Sequence, residues 1–86
     1  MRIDKFLKVS RLVLRREVAK RLCEDGDVFI NGKIAKASSE IETGDRLELH
    51  LGRRKVVALI KEIRPYAAKS VASSLYEIVS EEEIGD

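Results

Sequence analysis

Gly26-Asp27-Val28-Phe29-Ile30-Asn31-Gly32-Lys33 is where this chain changes its period. Before it, apolar residues recur at helical spacing. From Val28 onward they alternate, with Val28 and Ile30 on one side and Asp27, Phe29 and Asn31 on the other. Asn31-Gly32 is a tight-turn dipeptide, because both residue types tolerate the positive φ that a two-residue hairpin connection requires. The segment is therefore read as the first half of a short hairpin that returns over Lys33 to Ala37, and Gly26 as the stop of the helix before it.

Toward the N-terminus, that helix is expected to begin near Leu14 or Arg15 and to end at Asp25. At 100° per residue, Val18, Ala19, Leu22 and Cys23 share one arc, while Arg16 and Lys20 lie together on its border. Glu17 with Arg21 and Lys20 with Glu24 are i,i+4 pairs, each supporting the helix by roughly 0.2–0.5 kcal/mol. No Ser or Thr stands beside its start to cap it. Upstream, Asp4 is placed to cap a first helix from Lys5 to Val9, with Ile3, Phe6 and Leu7 on one side and Arg2, Lys5 and Lys8 on the other.

Toward the C-terminus, Thr43-Gly44-Asp45 marks a turn, after which Leu47, Leu49 and Leu51 alternate with Arg46, Glu48 and His50 as a half-buried strand. Gly52-Arg53-Arg54 turns the chain into a Val-, Ile- and Leu-rich strand expected over Lys55 to Ile63, stopping at Pro65. Tyr66 to Ser74 reads as a linker or one or two helical turns, Leu75 to Val79 as a last short strand, and Ser80 to Asp86 as an acidic, frayed tail. The fold class is α+β, with N-terminal helices packed on a small, mostly antiparallel sheet.

Length and charge narrow the function. A chain of 86 residues makes one small domain with little to spare for a separate catalytic cleft, so no enzyme activity and no cofactor are expected. Cys23 is the only cysteine, which rules out an internal disulfide or a cysteine-based zinc site. No apolar run reaches spanning length, and charges at Arg2, Asp4, Lys5 and Lys8 interrupt the start of the chain, so a cytoplasmic protein without membrane contact is expected. The net charge of +2 hides a sorted distribution: +6 over residues 1–21, −4 over 22–50, +5 over 51–69 and −5 over 70–86. Positive charge gathered on a preorganised helical surface is the footprint of a nucleic-acid binder.

Arg2-x-Asp4-Lys5-x-Leu7, Ser10-Arg11, Arg16, Ala19, Gly26-x-Val28-x-Ile30-Asn31-Gly32 and Gly44-Asp45 together resemble the S4 RNA-binding domain. Lys5 to Arg11, the pair Arg15-Arg16, Lys36-x-Ser38 and the Ala72-x-x-Leu-Tyr-Glu77 ending narrow the likeness to stand-alone bacterial S4 proteins of ribosome-associated quality control, the RqcP-like group. The similarity spans about residues 2 to 79, with Leu14 and Glu17 departing from the usual pattern. It implies an S4 domain over residues 1–65, an extension with a final strand over 66–79 and an acidic tail over 80–86. It also implies binding to the large ribosomal subunit, through 23S-type rRNA and the tRNA on it, beside an alanine-tailing elongation factor. The RNA-binding residues implied are Arg2, Lys5, Lys8, Ser10, Arg11, Arg15, Arg16, Lys20 and Lys36, with Asp4, Asn31 and Gly32 as structural or orienting residues.

The residues also admit plainer readings. A basic edge such as Arg16 and Lys20 is commonly a solvated helix face, and Asp4, without a second carboxylate, is a cap or a partner orienting Arg2 rather than a catalytic acid. His50 reads as a solvent-side strand residue and Cys23 as a small core hydrophobe. Arg53, Arg54 and Lys55 read equally as a second RNA patch or a soluble turn. Two rival functions remain: an RNA-binding accessory subunit of an RNA-modifying enzyme, and a β-grasp-like protein-interaction module. A sulfur carrier of the β-grasp type would need a free Gly-Gly terminus where this sequence reads Gly85-Asp86. A monomer is expected, since no heptad or spare apolar face is visible.

Overall fold

The computed structural model describes residues 1–83. Two helices come first, α1 (Ile3–Val9) and α2 (Arg16–Glu24), followed by β1 (Val28–Ile30), β2 (Lys33–Ile34), β3 (Arg46–Leu51) and β4 (Arg54–Ile60). A short α3 (Lys69–Ala72) runs into a 3-10 turn at Ser73–Leu75, and β5 (Tyr76–Glu83) closes the described chain. The sheet is antiparallel throughout, in the order β2-β1-β3-β4-β5. Every neighbouring pair is consecutive in sequence except β1 and β3, so after its return strand β2 the chain crosses back over residues 35–45 to place β3 on the other side of β1.

Register explains the core. Val28 faces Leu49 and Ile30 faces Leu47 across β1 and β3, while Leu47 faces Ala58 and Leu49 faces Val56 across β3 and β4. These side chains therefore share one face of the sheet. Ile3, Phe6 and Leu7 of α1, with Ala19 and Cys23 of α2, complete the cluster on that face, which also takes in Ala72 and Leu75 from the C-terminal segment. Burial of this apolar surface is the main term holding helices to sheet.

Asn31 and Gly32 adopt φ of 51° and 84°, the left-handed pair expected of the β1–β2 turn. The Asn31 side chain adds a tie: its amide nitrogen donates to Asp45 Oδ1 at 3.0 Å, and its carbonyl oxygen accepts from the Arg46 backbone N–H at 2.9 Å. The turn is thereby pinned to the start of β3.

Four expectations are corrected. Asp4 is not the cap of α1. Arg2 occupies that position, and the Ile3 and Asp4 N–H groups donate to the carbonyls of Ser39 and Ala37, so the loop before β3 satisfies the helix start. Val18 is 47 % exposed, because the buried line of α2 is centred on Ala19 and Cys23 and a nine-residue helix buries only a narrow arc. The β4 strand ends at Ile60, before the expected Ile63. The last strand begins at Tyr76 and extends past Val79 to Glu83, because Glu81 and Glu82 meet the cations Arg54 and Lys55 on β4. The rest of the expected tail, residues 84–86, lies outside the described residues.

Candidate nucleic-acid interface

The site is built on one buried carboxylate. Asp4 is 0 % exposed, and it receives Arg2 Nε at Oδ1 and Arg2 Nη2 at Oδ2, both at 3.2 Å, a two-pronged contact. Arg16 Nη2, twelve residues further along the chain, reaches Asp4 Oδ1 at 3.4 Å. Burial alone would raise the Asp4 pKa. The Arg16 hydrogen bond and charge, then the Arg2 charge, outweigh it and hold the carboxyl below its ordinary value. Asp4 therefore stays ionised and fixes two guanidinium groups from different elements, while their side chains remain 46 % and 43 % exposed. The open part of each side chain faces water, where a phosphate oxygen can approach it.

The other candidates surround this pair unevenly. Lys5 is half-buried and Lys8 exposed on α1, while Arg15 stands exposed at the head of α2 and Lys20 exposed a turn further on. The α2 N-terminus brings its own partial positive charge to Arg15 and Arg16, with Glu17 opposing it in the first turn. Arg11 is exposed and held at φ 62°, a left-handed conformation that non-glycine residues adopt at a cost. It closes α1: the Arg11 N–H donates to the Lys8 carbonyl and the Val13 N–H to the Leu7 carbonyl.

Ser10 sits differently from the expectation. It is 1 % exposed, its hydroxyl donates to the Leu7 carbonyl at 3.2 Å and accepts from the Leu12 N–H at 3.4 Å. Its polar capacity is used inside the turn, so it shapes the loop that carries Arg11 and presents nothing to a ligand.

Lys36, after β2, joins the site from the other direction. A cleft of about 340 Å³ is lined by Arg2 and Lys36, with Cys23, Glu24, Ala35 and Ser38 among its walls. The Lys36 N–H donates to Ser39 Oγ at 2.9 Å, which sets the loop that approaches Arg2. Cys23 is buried and reduced, and burial first, then Asp4 and Glu24, push its thiol up to about 11. It is a packing residue, as its place on α2 suggested. His50, on the far side of the molecule's strand β3, contacts Glu48 at 2.7 Å and lies against Phe29 with ring centroids 5.2 Å apart.

What sequence reading missed is the link from Asp4 to Arg16. Arg2-x-Asp4 places one guanidinium near the carboxylate, but only the packing of α1 on α2 brings the second.

Two arginines are thus locked to a buried aspartate where two N-terminal helices pack, and an Asn-Gly hairpin follows. A profile described as the S4 domain matches residues 1–47, the segment that holds all of these parts. The chain belongs to the S4 domain family. Full-length likeness extends beyond that segment. The RQC P-site tRNA stabilizing factor of Bacillus subtilis is 43 % identical over 86 residues, 100 % of each chain. The protein of the same name from Halalkalibacterium halodurans is 45 % identical over 84 residues, 98 % of this chain and 96 % of that one. Among solved structures, trimeric heat shock protein 15 of Vibrio cholerae superposes with a TM-score of 0.86 at 30 % identity, covering 93 % of this chain and 82 % of its own. These matches place α3 and β5 inside the shared fold of this S4 protein. Among its described residues, no helix is long and apolar enough to cross a membrane.

Proposed function

We propose that this S4 protein is a non-enzymatic RNA clamp of ribosome-associated quality control, acting in the cytoplasm on large ribosomal subunits that carry stalled peptidyl-tRNA. The Arg2–Asp4–Arg16 cluster carries the reading. It offers two rigid, half-exposed guanidinium forks on separate elements, the arrangement suited to gripping adjacent phosphates of a folded RNA. Arg11, Arg15, Lys5, Lys8, Lys20 and Lys36 extend the same positive face. A-form RNA is read by shape, phosphates and 2′-hydroxyls, so a face with no aromatic platform fits a structured RNA stem better than a single strand.

The names of full-length relatives at 43–45 % identity support the particular RNA: P-site tRNA on the ribosome. In this reading the protein contacts an rRNA stem and the tRNA together, and holds the tRNA while an alanine-tailing elongation factor extends the stalled chain. The clamp works as one copy.

Sucrose-gradient sedimentation from cells with stalled translation tests it. Wild-type protein is expected on free large subunits with peptidyl-tRNA, and Arg16→Ala at the top of the gradient. Equal sedimentation of the variant with large subunits would remove Arg16 from the clamp, and wild type at the top would redirect the search to another RNA.

A further inference from the structure

The chain has a second basic cluster, Arg53, Arg54 and Lys55, at the turn between β3 and β4. It is as dense in charge as the N-terminal face, yet it is set in a different environment. Arg54 Nη2 pairs with Glu81, and Lys55 Nζ lies 3.2 Å from Glu82 Oε1. The register that brings them together is that of the sheet itself: Lys55 is opposite Glu82, and Arg54, opposite Glu83, reaches diagonally to Glu81 two residues before it. Arg53 has no ion partner among the described residues, and the α2–β1 corner brings Asp27 to this end of the sheet, where its carbonyl accepts from the His50 N–H.

Exposed ion pairs of this kind add little to folding stability, so their weight falls on the local field. A carboxylate within contact distance of a cation cancels most of its attraction for a phosphate, since it lies far inside the screening length of physiological salt. Arg2 and Arg16 differ in kind: one aspartate is shared between two guanidinium groups, leaving net positive charge. Arg54 and Lys55 each have a carboxylate of their own.

We propose that Glu81 and Glu82 are specificity-determining residues for RNA binding: they neutralise the β3–β4 turn and confine phosphate contact to the N-terminal face. This rests on the RNA-clamp reading above. Without them the molecule has two phosphate-binding ends and grips any duplex RNA.

Fluorescence anisotropy with an unrelated RNA stem-loop, titrated with KCl, tests the proposal on four proteins besides wild type: Arg16→Ala, Glu81→Gln/Glu82→Gln, and that double variant with either Arg54→Gln/Lys55→Gln or Lys33→Gln/Lys69→Gln added. The last two share the wild-type net charge and differ in where cations were removed. The double Glu variant is expected to bind several-fold tighter, with a log–log salt slope steeper by about 1.4–1.8 for two added phosphate contacts. Removing Lys33 and Lys69 should leave that gain in place, and removing Arg54 and Lys55, the two cations that Glu81 and Glu82 neutralise, should abolish it. An unchanged double variant alongside a weakened Arg16→Ala overturns the proposal and leaves the clamp standing. Equal loss of the gain in both charge-matched proteins also overturns it, in favour of net charge alone. A double variant that gains binding to phosphatidylglycerol-rich vesicles but not to RNA assigns the turn to membrane surfaces instead. Wild type with a flat titration, indistinguishable from Arg16→Ala, overturns both readings.

Discussion

Asp4 is the residue that holds both Arg2 and Arg16 in place. Replacing it with Asn keeps the shape but leaves a neutral amide beneath two cations; a loss of about 1–3 kcal/mol in denaturant unfolding is expected, together with weaker RNA binding as Arg2 and Arg16 lose their anchor. The pH dependence has a definite sign. The folded pKa of Asp4 lies below 3.8, so its contribution to stability is fully present above that value and is lost as pH falls through the lower folded one. Melting temperature measured across that acid window should therefore fall more steeply in wild type than in Asp4→Asn. Arg11 separates function from stability in the opposite direction. Its φ of 62° suits glycine, so Arg11→Gly is expected to raise stability by about 0.5–1 kcal/mol while it weakens RNA association; a variant that unfolds more easily would show that the arginine side chain, and not strain, dominates there. Sequence reading found the charged residues of this cluster because residue type and local spacing suffice for that. Its reading of Asp4 as a partner orienting Arg2 holds, while the cap reading of Asp4 and the exposed reading of Ser10 fail because burial is a tertiary property: an aspartate at a helix start resembles a cap until a second helix is laid across it.

Elements were legible where their signals were local. The period change at Gly26, the Asn31-Gly32 turn and the alternation of Leu47 with Leu49 and Leu51 needed only neighbours in sequence, and each stands where its pattern placed it. The C-terminal third was harder, because its placement depends on long-range pairing. Glu81 to Glu83 resemble a solvated tail until the cations of β4 are opposite them. The segment after Pro65 also does more than extend the domain: Ala67, Ala72 and Leu75 are buried in the same core as Ile3 and Phe6, and β5 covers the edge of β4. Leu75 is 0 % exposed, and Leu75→Ala should cost about 2–5 kcal/mol in chemical denaturation, as large as a substitution among the N-terminal helices. A cost under about 1 kcal/mol would show that the segment folds on as a separate appendage. By the same argument a chain cut at residue 65 would lose core and uncover an unpaired β4 edge, a recognised route to aggregation.

At the scale of the whole molecule, the decisive property is that charge is sorted and not summed. A net charge of +2 spread evenly would attract RNA feebly and respond little to salt. The fold instead brings Arg2 and Arg16 together on Asp4 and leaves Arg11 and Arg15 exposed between α1 and α2, while the second cationic stretch meets the carboxylates of β5. Counterion release scales with phosphates neutralised at the contact surface, so the relevant number is the count of engaged arginines and not the net charge. If about four phosphates are engaged, the log of the association constant for a structured RNA should fall with the log of salt with a slope of about −2.8 to −3.6, at roughly 0.7–0.9 per contact. Arg16→Ala should make that slope shallower by about one contact, because a guanidinium held at the face is lost. Lys61→Ala, which removes the same charge from a pair with Glu77 on the sheet, should leave the slope unchanged. Titration of the three proteins against one RNA stem decides between the two pictures. Equal shifts for both substitutions would mean that RNA responds to overall charge, and a wild-type slope near zero would mean that phosphate contact does not hold the complex together.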